Sequence, residues 1–387
     1  MLKVPVSRAI LMNCLSSRSG GAVSYLRHVL EPLSAALAAQ GIRLIPLIRH
    51  QQAAYLPTSC LTDAVRVPDD RVAGLRRAAW ELWNLQRTVR ENGCELVFTP
   101  YQMATLLPAA INVVMLRNME PFFSRNYPYS PGSRLRNAVL RIQTSRTLRR
   151  AEATIAVSDF AGSYAMTGIG VDAARVTRIY HGRDASFSPA PGSDDDQHLR
   201  RLGIVKPYVF TCGSLLPYRR AEDVLRAFET FSQSVGDDAR LVIAGSGSDP
   251  RYGRLLAAAI SASKKQHLIR NLGQVDNAVM KVLYRQSRLF VTATEVEACP
   301  NIAIEALSSG CAILAAGSPA LKELLGEGAV YFGPRDHAQL GSQMLGLWRD
   351  PPGRDRLAAA ALRRCADFSW AHCGVQTAAL LAGLLPR

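Results

Sequence analysis

The feature of this sequence that most restricts its fold is the regular alternation of short apolar runs with longer helical runs. Short continuous apolar runs are typical of buried parallel strands, and parallel neighbours are joined by helical crossovers. In the first half we expect strands at 8–13, 42–48, 95–99, 111–116, 153–157 and 176–180, with helices at 21–40, 72–92, 101–109 and 132–150. The alternation predicts a doubly wound α/β sheet.

The second half repeats this pattern after a break. The segment Phe187-Ser-Pro-Ala-Pro-Gly-Ser-Asp-Asp-Asp196 has the turn formers and like charges of an interdomain linker. Beyond it we expect strands at 208–212, 240–244, 267–272, 289–292 and 311–315, and helices at 221–234, 252–263, 276–286, 300–309, 354–366 and 369–385. We therefore predict Rossmann-like domains at 1–187 and 188–368, with the helix at about 369–387 returning to the first domain.

The charge is large and unevenly distributed. The net charge is +15, and residues 1–187 carry 23 basic and 12 acidic groups, whereas 188–387 carry 23 and 19. An excess of basic groups indicates an anionic partner, such as a phosphorylated small molecule or anionic lipid. Because the chain has no zinc-finger, homeodomain or RNA-recognition signature, we do not expect nucleic acid binding.

The cysteines and the hydrophobic segments concern the cellular compartment. Eight cysteines occur without a CxxC pair, as expected for reduced thiols in a cytosolic protein. No apolar run reaches 18 residues, and the N-terminal apolar run is too short for a signal peptide. We therefore expect a cytoplasmic protein whose contact with a membrane is at most peripheral.

Three turns at the ends of predicted strands carry glycine. They contain Gly20 and Gly21 after Ser19, Gly213 followed by Arg219 and Arg220, and Gly245-Ser-Gly247. A glycine turn before a helix can hold a phosphate through backbone amides, and arginine suits phosphate oxygens. The alternatives are plain tight turns and a solvated basic pair. None matches a dinucleotide-binding or Walker A motif.

The turn from Thr294 to Gly310 carries two carboxylates. Glu297 follows a predicted strand, and Glu305 lies in the helix that starts near Pro300. Ligands of open α/β sheets bind at the carboxyl ends of strands, so both side chains can reach such a crevice. The alternative is one surface carboxylate and one on a helix face.

Taken together, these turns resemble a known family. In chain order they are Gly20-Gly21, Ala156-Val-Ser158, Ile179-Tyr-His-Gly-Arg-Asp184, Gly213 with Arg219, Gly245-Ser-Gly247, Leu272-Gly-Gln-Val275, Glu297 to Glu305, and Ser309-Gly310 to Glu323. The series is similar to the retaining nucleotide-sugar glycosyltransferases of family 4 (glycosyl transferases group 1). The two glutamates separated by seven residues are its most specific part.

The resemblance implies the GT-B fold, with two Rossmann-like domains facing a central cleft, and a role for each matching residue. Glu305 would hold the donor ribose, Glu297 the transferred sugar, and Arg219 the diphosphate, helped by the amides of Gly20 and Gly21. The implied donor site comprises Gly20, Gly21, Gly213, Arg219, Arg220, Gly245, Gln274, Val275, Glu297, Cys299, Pro300, Asn301, Ile302 and Glu305.

The sequence also departs from the family pattern. Ser214 stands where an arginine is common, so Arg219 and Arg220 remain alternatives for the diphosphate contact. Arg117-Asn118 stand where many members have a catalytic histidine, and we include both as candidate catalytic residues beside Glu297 and Arg219. His181 stands at a common asparagine position, where we favour a structural role.

The resemblance implies a metal-independent, retaining hexosyltransferase without a cofactor. Its donor would be a nucleoside diphosphate sugar, and its acceptor a glycan or lipid-linked glycan of envelope, lipopolysaccharide or extracellular polysaccharide synthesis. We interpret Asp194-Asp-Asp196 as part of the linker and not as a metal site. The alternatives are a non-catalytic GT-B protein that binds a ligand or partner, and a GT-B epimerase.

The helix at 132–150 is strongly basic. It carries six arginines between Arg134 and Arg150 and no acid, with an apolar stripe at Leu135, Val139 and Ile142. A basic amphipathic helix is typical of association with an anionic membrane surface, here the inner face of the cytoplasmic membrane. The alternative is an ordinary helix whose apolar stripe packs inward.

Overall fold

The computed structural model describes residues 8–18, 20–73, 76–247 and 249–386. The chain forms two compact units. Unit 1 holds the described residues up to Asn118, Val139–Gly182, and those from Ser369 onward; unit 2 holds Met119–Ala138 and Arg183–Phe368. The sequence-based division at 187/188 stays a prediction, and the structure adds that Met119–Ala138 packs within unit 2.

Unit 1 contains a seven-stranded parallel sheet. Its strands are β1 (Ala9–Asn13), β2 (Arg43–Arg49), β3 (Val65–Val67), β4 (Cys94–Thr99), β5 (Ile111–Leu116), β6 (Ala153–Ala156) and β7 (Val176–Arg178). Their order is β3-β2-β1-β4-β5-β6-β7, so the direction of winding reverses between β1 and β4. The strands are short and apolar because helices cover the faces of a parallel sheet.

The helices of unit 1 bury their apolar faces on this sheet and on one another. They are α1 (Gly21–Ala38), α2 (Arg76–Glu91), the later part of α4 (Pro131–Arg150), α5 (Asp159–Tyr164) and α14 (Trp370–Leu384). The C-terminal helix α14 packs on α1. A Cβ added at Gly374 would lie 2.8 Å from the amide of Leu33, so glycine permits this close approach.

Unit 2 contains a six-stranded parallel sheet. Its strands are β8 (Tyr208–Cys212), β9 (Arg240–Ala244), β10 (Ile269–Asn271), β11 (Leu289–Thr292), β12 (Ile313–Ala316) and β13 (Ala329–Phe332). Their order is β10-β9-β8-β11-β12-β13, which places the reversal between β8 and β11. The predicted fold class, two doubly wound parallel sheets, is confirmed.

The helices of unit 2 cover both faces of this sheet. They are α3 (Glu120–Phe123), the start of α4, α6 (Asp195–Arg201), α7 (Ala221–Val235), α8 (Pro250–Ala262), α9 (Asn277–Gln286), α10 (Asn301–Ser308), α11 (Pro319–Leu325), α12 (His337–Arg349) and α13 (Pro351–Cys365). The apolar faces of α7 and α12 meet in the core, where Phe228 and Leu340 are fully buried.

The predicted helix at 101–109 is wrong. This segment is irregular, because side-chain amides satisfy its backbone groups. The Asn112 Oδ1 atom accepts from the Leu107 amide at 2.8 Å, and Asn112 Nδ2 donates to the carbonyls of Leu107 and Ala110 at 3.0 and 2.8 Å. Strands β3 and β13 and helices α3, α5, α6, α11 and α12 were not expected from the sequence.

The segment predicted to be a linker is well packed at both ends. Phe187 is buried, and its ring centroid lies 5.8 Å from that of Tyr284. Asp195 is buried at the start of α6, where its carboxylate pairs with Arg285 and accepts from Gln286 Nε2 at 2.8 Å. The ion pair holds the pKa of Asp195 down, at about 2.

The sequence predicts reduced cysteines and leaves open whether the apolar stripe of α4 packs inward. All eight cysteines are free thiols, and five of them are buried. On α4 the apolar stripe does not pack inward: Leu135, Val139 and Ile142 are 68%, 44% and 48% exposed. Among the described residues, no helix is long and apolar enough to cross a membrane.

Candidate functional site

The candidate site of unit 2 lies where the winding of its sheet reverses. The turn with Gly213 follows β8, and the turn with Glu297 follows β11, which pairs with β8 in parallel. Two neighbouring strands whose crossovers leave in opposite directions open a crevice at their carboxyl ends. The two predicted turns therefore lie side by side at the position where sheets of this kind bind ligands.

Close backbone contacts explain the glycines of these turns. The Gly213 amide donates to the Ala244 carbonyl at 3.0 Å, and the Leu215 amide to the Ser246 carbonyl at 3.0 Å. A Cβ at Gly245, where φ is 138°, would lie 1.9 Å from the Gly213 carbonyl oxygen. Only glycine fits at position 245, because any side chain there would clash with the turn that carries Gly213. Packing between the two turns therefore requires this glycine whether or not the turn binds a ligand.

Arg219 and Glu297 form a largely buried ion pair that joins the two turns. The guanidinium comes from the turn Pro217–Arg219, and it contacts the Glu297 carboxylate directly. Their side chains are 16% and 10% exposed. Burial raises the pKa of Glu297, while Arg219 opposes this shift. Burial likewise opposes the charge of Arg219, but Glu297 and Tyr218 raise its pKa above the usual range.

Arg220 has different partners from Arg219. Its backbone is left-handed, with φ 53°, which turns the side chain towards the start of α7. There it forms two hydrogen bonds with the Asp223 carboxylate, at 2.7 and 2.9 Å, and an ion pair with Glu222 at 2.7 Å. Of the two arginines, Arg219 is therefore the one held against Glu297.

Glu305 lies on α10 beside a buried tyrosine. The Tyr284 hydroxyl is 3.1 Å from Glu305 Oε2 and 3.2 Å from the Ile302 carbonyl oxygen. Burial raises the pKa of Glu305 to about 7, against a lowering by the Tyr284 hydrogen bond. The carboxyl group is thus held in one orientation and titrates near neutral pH. Sequence reasoning missed Tyr284, which lies in α9, and no local signal pairs it with Glu305.

The remaining predicted residues of unit 2 surround this group. Cys299, Asn301 and Ile302 are half-buried and Pro300 is buried, at the start of α10, where the first amides have no partner within the helix. Gln274 is exposed and accepts from the Ser246 hydroxyl at 3.3 Å, and Val275 is half-buried. The N-terminus of α10 therefore offers donors to an anion or a hydroxyl-rich ligand.

A third glutamate of the same turn, Glu295, was not predicted as a site residue. Arg335 donates to its two carboxylate oxygens at 2.7 and 3.0 Å, and the Tyr127 hydroxyl donates at 2.7 Å. The Glu295 amide also donates to the Tyr218 carbonyl at 3.0 Å. These contacts hold the turn that carries Glu297 next to the turn that carries Arg219.

The predicted residues of unit 1 form a separate group. Gly20 caps the N-terminus of α1 with φ 54°, and Gly21 is its first residue; Ser19 lies outside the described residues. The Arg117 guanidinium donates to the Gly21 carbonyl at 2.7 Å and lies over the Tyr25 ring at 5.3 Å. The candidate residues at the ends of β1 and β5 are therefore in direct contact.

Gln102 fixes the backbone of Arg117 and Asn118. Its Oε1 accepts from their amides at 3.2 and 3.0 Å, and its Nε2 donates to the Asn118 carbonyl at 2.7 Å. Gln102 is buried and was not predicted. The Gln102 side chain thus makes the hydrogen bonds to backbone groups that a neighbouring strand would otherwise make. No sequence pattern indicates this kind of contact.

His181 has the surroundings of a packing residue. It is buried, and its ring centroid lies 5.2 Å from Tyr25 and 5.5 Å from Trp370. A Cβ on the adjacent Gly182 would lie 2.1 Å from the Trp370 amide, so the chain passes very close to α14 here. This agrees with a structural role for His181.

Among residues 8–18, 20–73, 76–247 and 249–386, no group of three or more His, Cys, Asp or Glu side chains is arranged to hold a metal ion.

Comparison with known proteins matches each half of the chain to a family. Residues 20–187 match the family model described as Glycosyltransferase Family 4, and residues 195–364 match the one described as Glycosyl transferases group 1. No curated protein matches the chain by sequence.

Solved structures are similar over nearly the whole chain. HepE from Anabaena, in complex with UDP and glucose, is 18% identical with a TM-score of 0.75, covering 97% of this chain and 99% of that one. Sucrose-phosphate synthase from Thermosynechococcus elongatus is 16% identical with a TM-score of 0.74, covering 98% and 99%. WaaG, a glycosyltransferase involved in lipopolysaccharide biosynthesis, is 13% identical with a TM-score of 0.72, covering 97% and 100%.

Proposed function

We propose that this chain, which is a glycosyltransferase with the two-domain GT-B fold, transfers a hexosyl group from a nucleoside diphosphate sugar to a glycan or lipid-linked glycan with retention of configuration. The observation that carries the proposal is the Arg219–Glu297 ion pair, in which Glu297 lies in the turn just before α10, the helix that carries Glu305. The complexes of HepE with UDP, glucose and UDP-glucose support this donor class.

We assign the donor to the crevice of unit 2. The Glu305 carboxylate would accept a hydrogen bond from each of the two ribose hydroxyls, since an ionised carboxylate offers two acceptor oxygens. Gln274 and Val275 would face the base. Glu297 and the amides from Cys299 to Ile302 would contact hydroxyls of the sugar, and the turns at Gly213 and Gly245 allow close approach of the backbone.

The chemical step needs positive charge at the leaving diphosphate. As the bond from the sugar C1 to the diphosphate oxygen breaks, negative charge develops on that oxygen. The Arg219 guanidinium, which is paired with Glu297, would then also donate a hydrogen bond to this oxygen and stabilise its charge. The acceptor hydroxyl forms the new bond to C1 on the same face, and its proton passes to the departing phosphate oxygen. Within unit 1 we assign phosphate contacts to the amides of Gly20 and Gly21, and sugar contacts to Arg117 and Asn118.

The reaction so written needs no metal ion or cofactor. Arginine, backbone amides and a helix N-terminus are the groups that would meet the developing charge. We expect turnover to survive dialysis against EDTA.

As the acceptor we propose a glycan of a bacterial-type envelope or extracellular polysaccharide. The similarity to WaaG, which is described as involved in lipopolysaccharide biosynthesis, supports this acceptor class. The exposed apolar stripe and the arginines of α4 support peripheral contact with an anionic membrane surface.

A non-catalytic GT-B protein is the second candidate. It is favoured by Arg117, which stands where a histidine was expected and whose guanidinium is bonded to the Gly21 carbonyl. Slow hydrolysis of a nucleoside diphosphate sugar without acceptor would argue against this candidate.

The test of the proposed function is the Glu297→Ala variant. The donor is UDP-glucose or another nucleotide sugar that raises the melting temperature of the wild-type protein. We expect the variant to turn over this donor at least about 100-fold more slowly than wild type, because the charged group beside the transferred sugar is lost. Glu327→Ala, an exposed glutamate of the same unit, is the matched control and keeps its activity. Unchanged turnover by Glu297→Ala would refute the assignment.

A further inference from the structure

A cavity of about 530 Å³ lies within unit 1, and none of the residues proposed for transfer lines it. Its walls come from α2, from the irregular segment 103–108, and from the C-terminal half of α4. The glycine turn at Gly20-Gly21 and the Arg117 loop do not line it. The cavity therefore has no part in the proposed donor site.

The acidic and basic side chains that line this cavity differ in their surroundings. Its two carboxylates are held by protein donors: Glu81 accepts from Arg77 at 2.8 Å, from Asn13 at 3.1 Å and from Thr105 at 3.0 Å. Glu152 accepts from the Asn112 amide at 2.7 Å.

The remaining charged side chains of the lining, Arg146 and Arg150, are both exposed. A ligand entering the cavity would therefore meet guanidinium groups, which suit phosphate oxygens.

An exposed apolar surface continues from this basic pair. Val139 and Ile142 precede Arg146 by seven and four residues on α4, and these spacings put all three on one helix face. On α2, Leu82 lines the cavity and is 69% exposed, and the adjacent Trp83 is 81% exposed. Clustered apolar side chains in water indicate an interaction site. A soluble phosphate would leave them uncovered, whereas a lipid would not.

We propose that this cavity binds the phosphate group of a membrane lipid, with Arg146 and Arg150 at the phosphate. The lipid chain would cover the apolar residues of α4 and α2. Binding of this kind goes beyond a general attraction of α4 to negative surfaces, because it selects a phosphate group over other anionic headgroups. Binding of a lipid phosphate in this cavity does not depend on the proposed function. Only the further step, in which the bound lipid is also the glycosyl acceptor, rests on it.

The test compares two double variants with equal loss of charge. R146Q/R150Q removes the cavity arginines, and R134Q/R141Q removes two arginines from the same helix that do not line the cavity. Binding of the full chain is measured on phosphatidylcholine vesicles that contain either phosphatidic acid or phosphatidylserine, at matched surface charge. Each lost charge weakens binding to any anionic surface about fivefold, so both variants bind more weakly than wild type.

The informative quantity is the preference for phosphatidic acid over phosphatidylserine. We expect wild type and R134Q/R141Q to keep a preference of about tenfold, and R146Q/R150Q to lose it. Trp83 fluorescence should shift to shorter wavelength on vesicles, and Trp83→Phe should remove this shift. An equal preference in all three proteins, or inorganic pyrophosphate that abolishes vesicle binding at micromolar concentration, would overturn the proposal.

The same proteins separate this proposal from the proposed function. R146Q/R150Q should keep the wild-type rise in melting temperature with UDP-glucose, since neither arginine is among the residues that we assign to the donor. Donor binding without lipid preference would overturn only the cavity proposal. Lipid preference without any donor binding would instead count against the glycosyltransferase reaction.

Discussion

The carboxyl group of Glu305 has a pKa of about 7 because burial disfavours its charge. The proposed contact with ribose hydroxyls needs the ionised form, which is mostly absent at pH 6 and mostly present at pH 8. We therefore expect the affinity for UDP-glucose to rise about tenfold between these pH values. Calorimetric titration measures this affinity at each pH. UDP-glucose itself has no group that titrates in this range, so the change in affinity reports on the protein.

Two variants check the origin of this pH dependence. Glu305→Gln should bind weakly at both pH values, because it cannot ionise. Tyr284→Phe removes a hydrogen bond that lowers the pKa of Glu305, so its affinity should rise only at a higher pH than in the wild type. A pH profile that is the same in Glu305→Gln and wild type would contradict the assignment.

Arg219 and Arg220 are adjacent and yet should respond differently to substitution. Arg219→Gln should lower kcat at least about 100-fold, because the leaving diphosphate loses its proposed counter-charge. Arg220→Gln should chiefly destabilise unit 2, by about 1–3 kcal/mol, because it leaves the buried Asp223 without its charged donor. Turnover assays and urea unfolding separate the two effects, and the reverse pattern would show that Arg220 holds the diphosphate.

At this scale the sequence indicates the candidate residues but not their partners. Glu297, Glu305 and Arg219 stand in recognisable turns, whereas Tyr284, Gln102 and Arg335 act from other elements. Contacts between side chains far apart in sequence depend on how elements pack, and a single sequence holds no record of that packing.

At the scale of the elements, the turn after β9 depends on the missing side chain of Gly245. The Gly245→Ala variant places a Cβ against the Gly213 carbonyl and adds strain at a positive φ, so the two turns must separate. We expect a loss of at least about 2 kcal/mol in the free energy of unfolding and weaker UDP-glucose binding.

Gly253→Ala is the matched control for this prediction. It lies within α8, where an added Cβ meets nothing within 4 Å. Alanine is favoured over glycine inside a helix, so this variant should be up to about 1 kcal/mol more stable than wild type. Similar urea midpoints for the two variants would show that the turn tolerates a side chain.

The periodicity of the sequence predicts most strands and helices, and its errors have physical causes. The segment 101–109 has helical composition, but the Asn112 side chain binds the backbone of Leu107 within it, and the side chain of Gln102 binds the backbone of Arg117 and Asn118. Strand β3 has three residues, too few for a periodic signal. Patterns of apolar residues report which faces are buried, and they do not report competition from side-chain amides.

At the scale of the whole molecule, unit 2 is built from two separate chain segments. Residues 119–138 contribute the Tyr127 hydroxyl to Glu295, and the amide and hydroxyl of Ser130 to Asp249 at 3.0 and 2.9 Å. Asp249 also caps α8, and Glu295 lies in the turn of Glu297. A sequence-based boundary at 187/188 would remove this segment from unit 2.

We therefore expect a fragment of residues 188–368 to be incomplete. It lacks three hydrogen bonds to carboxylates, which costs at least about 3 kcal/mol and lowers the melting temperature of a domain of this size by at least about 6 °C. Residues 119–138 fused to 183–368 through a glycine-serine linker should recover most of this loss and bind UDP-glucose more tightly than the fragment. The same fusion with Tyr127→Phe and Ser130→Ala is the control and should recover little. If all three proteins melt and bind alike, residues 119–138 are dispensable for unit 2, and the donor domain is complete without them.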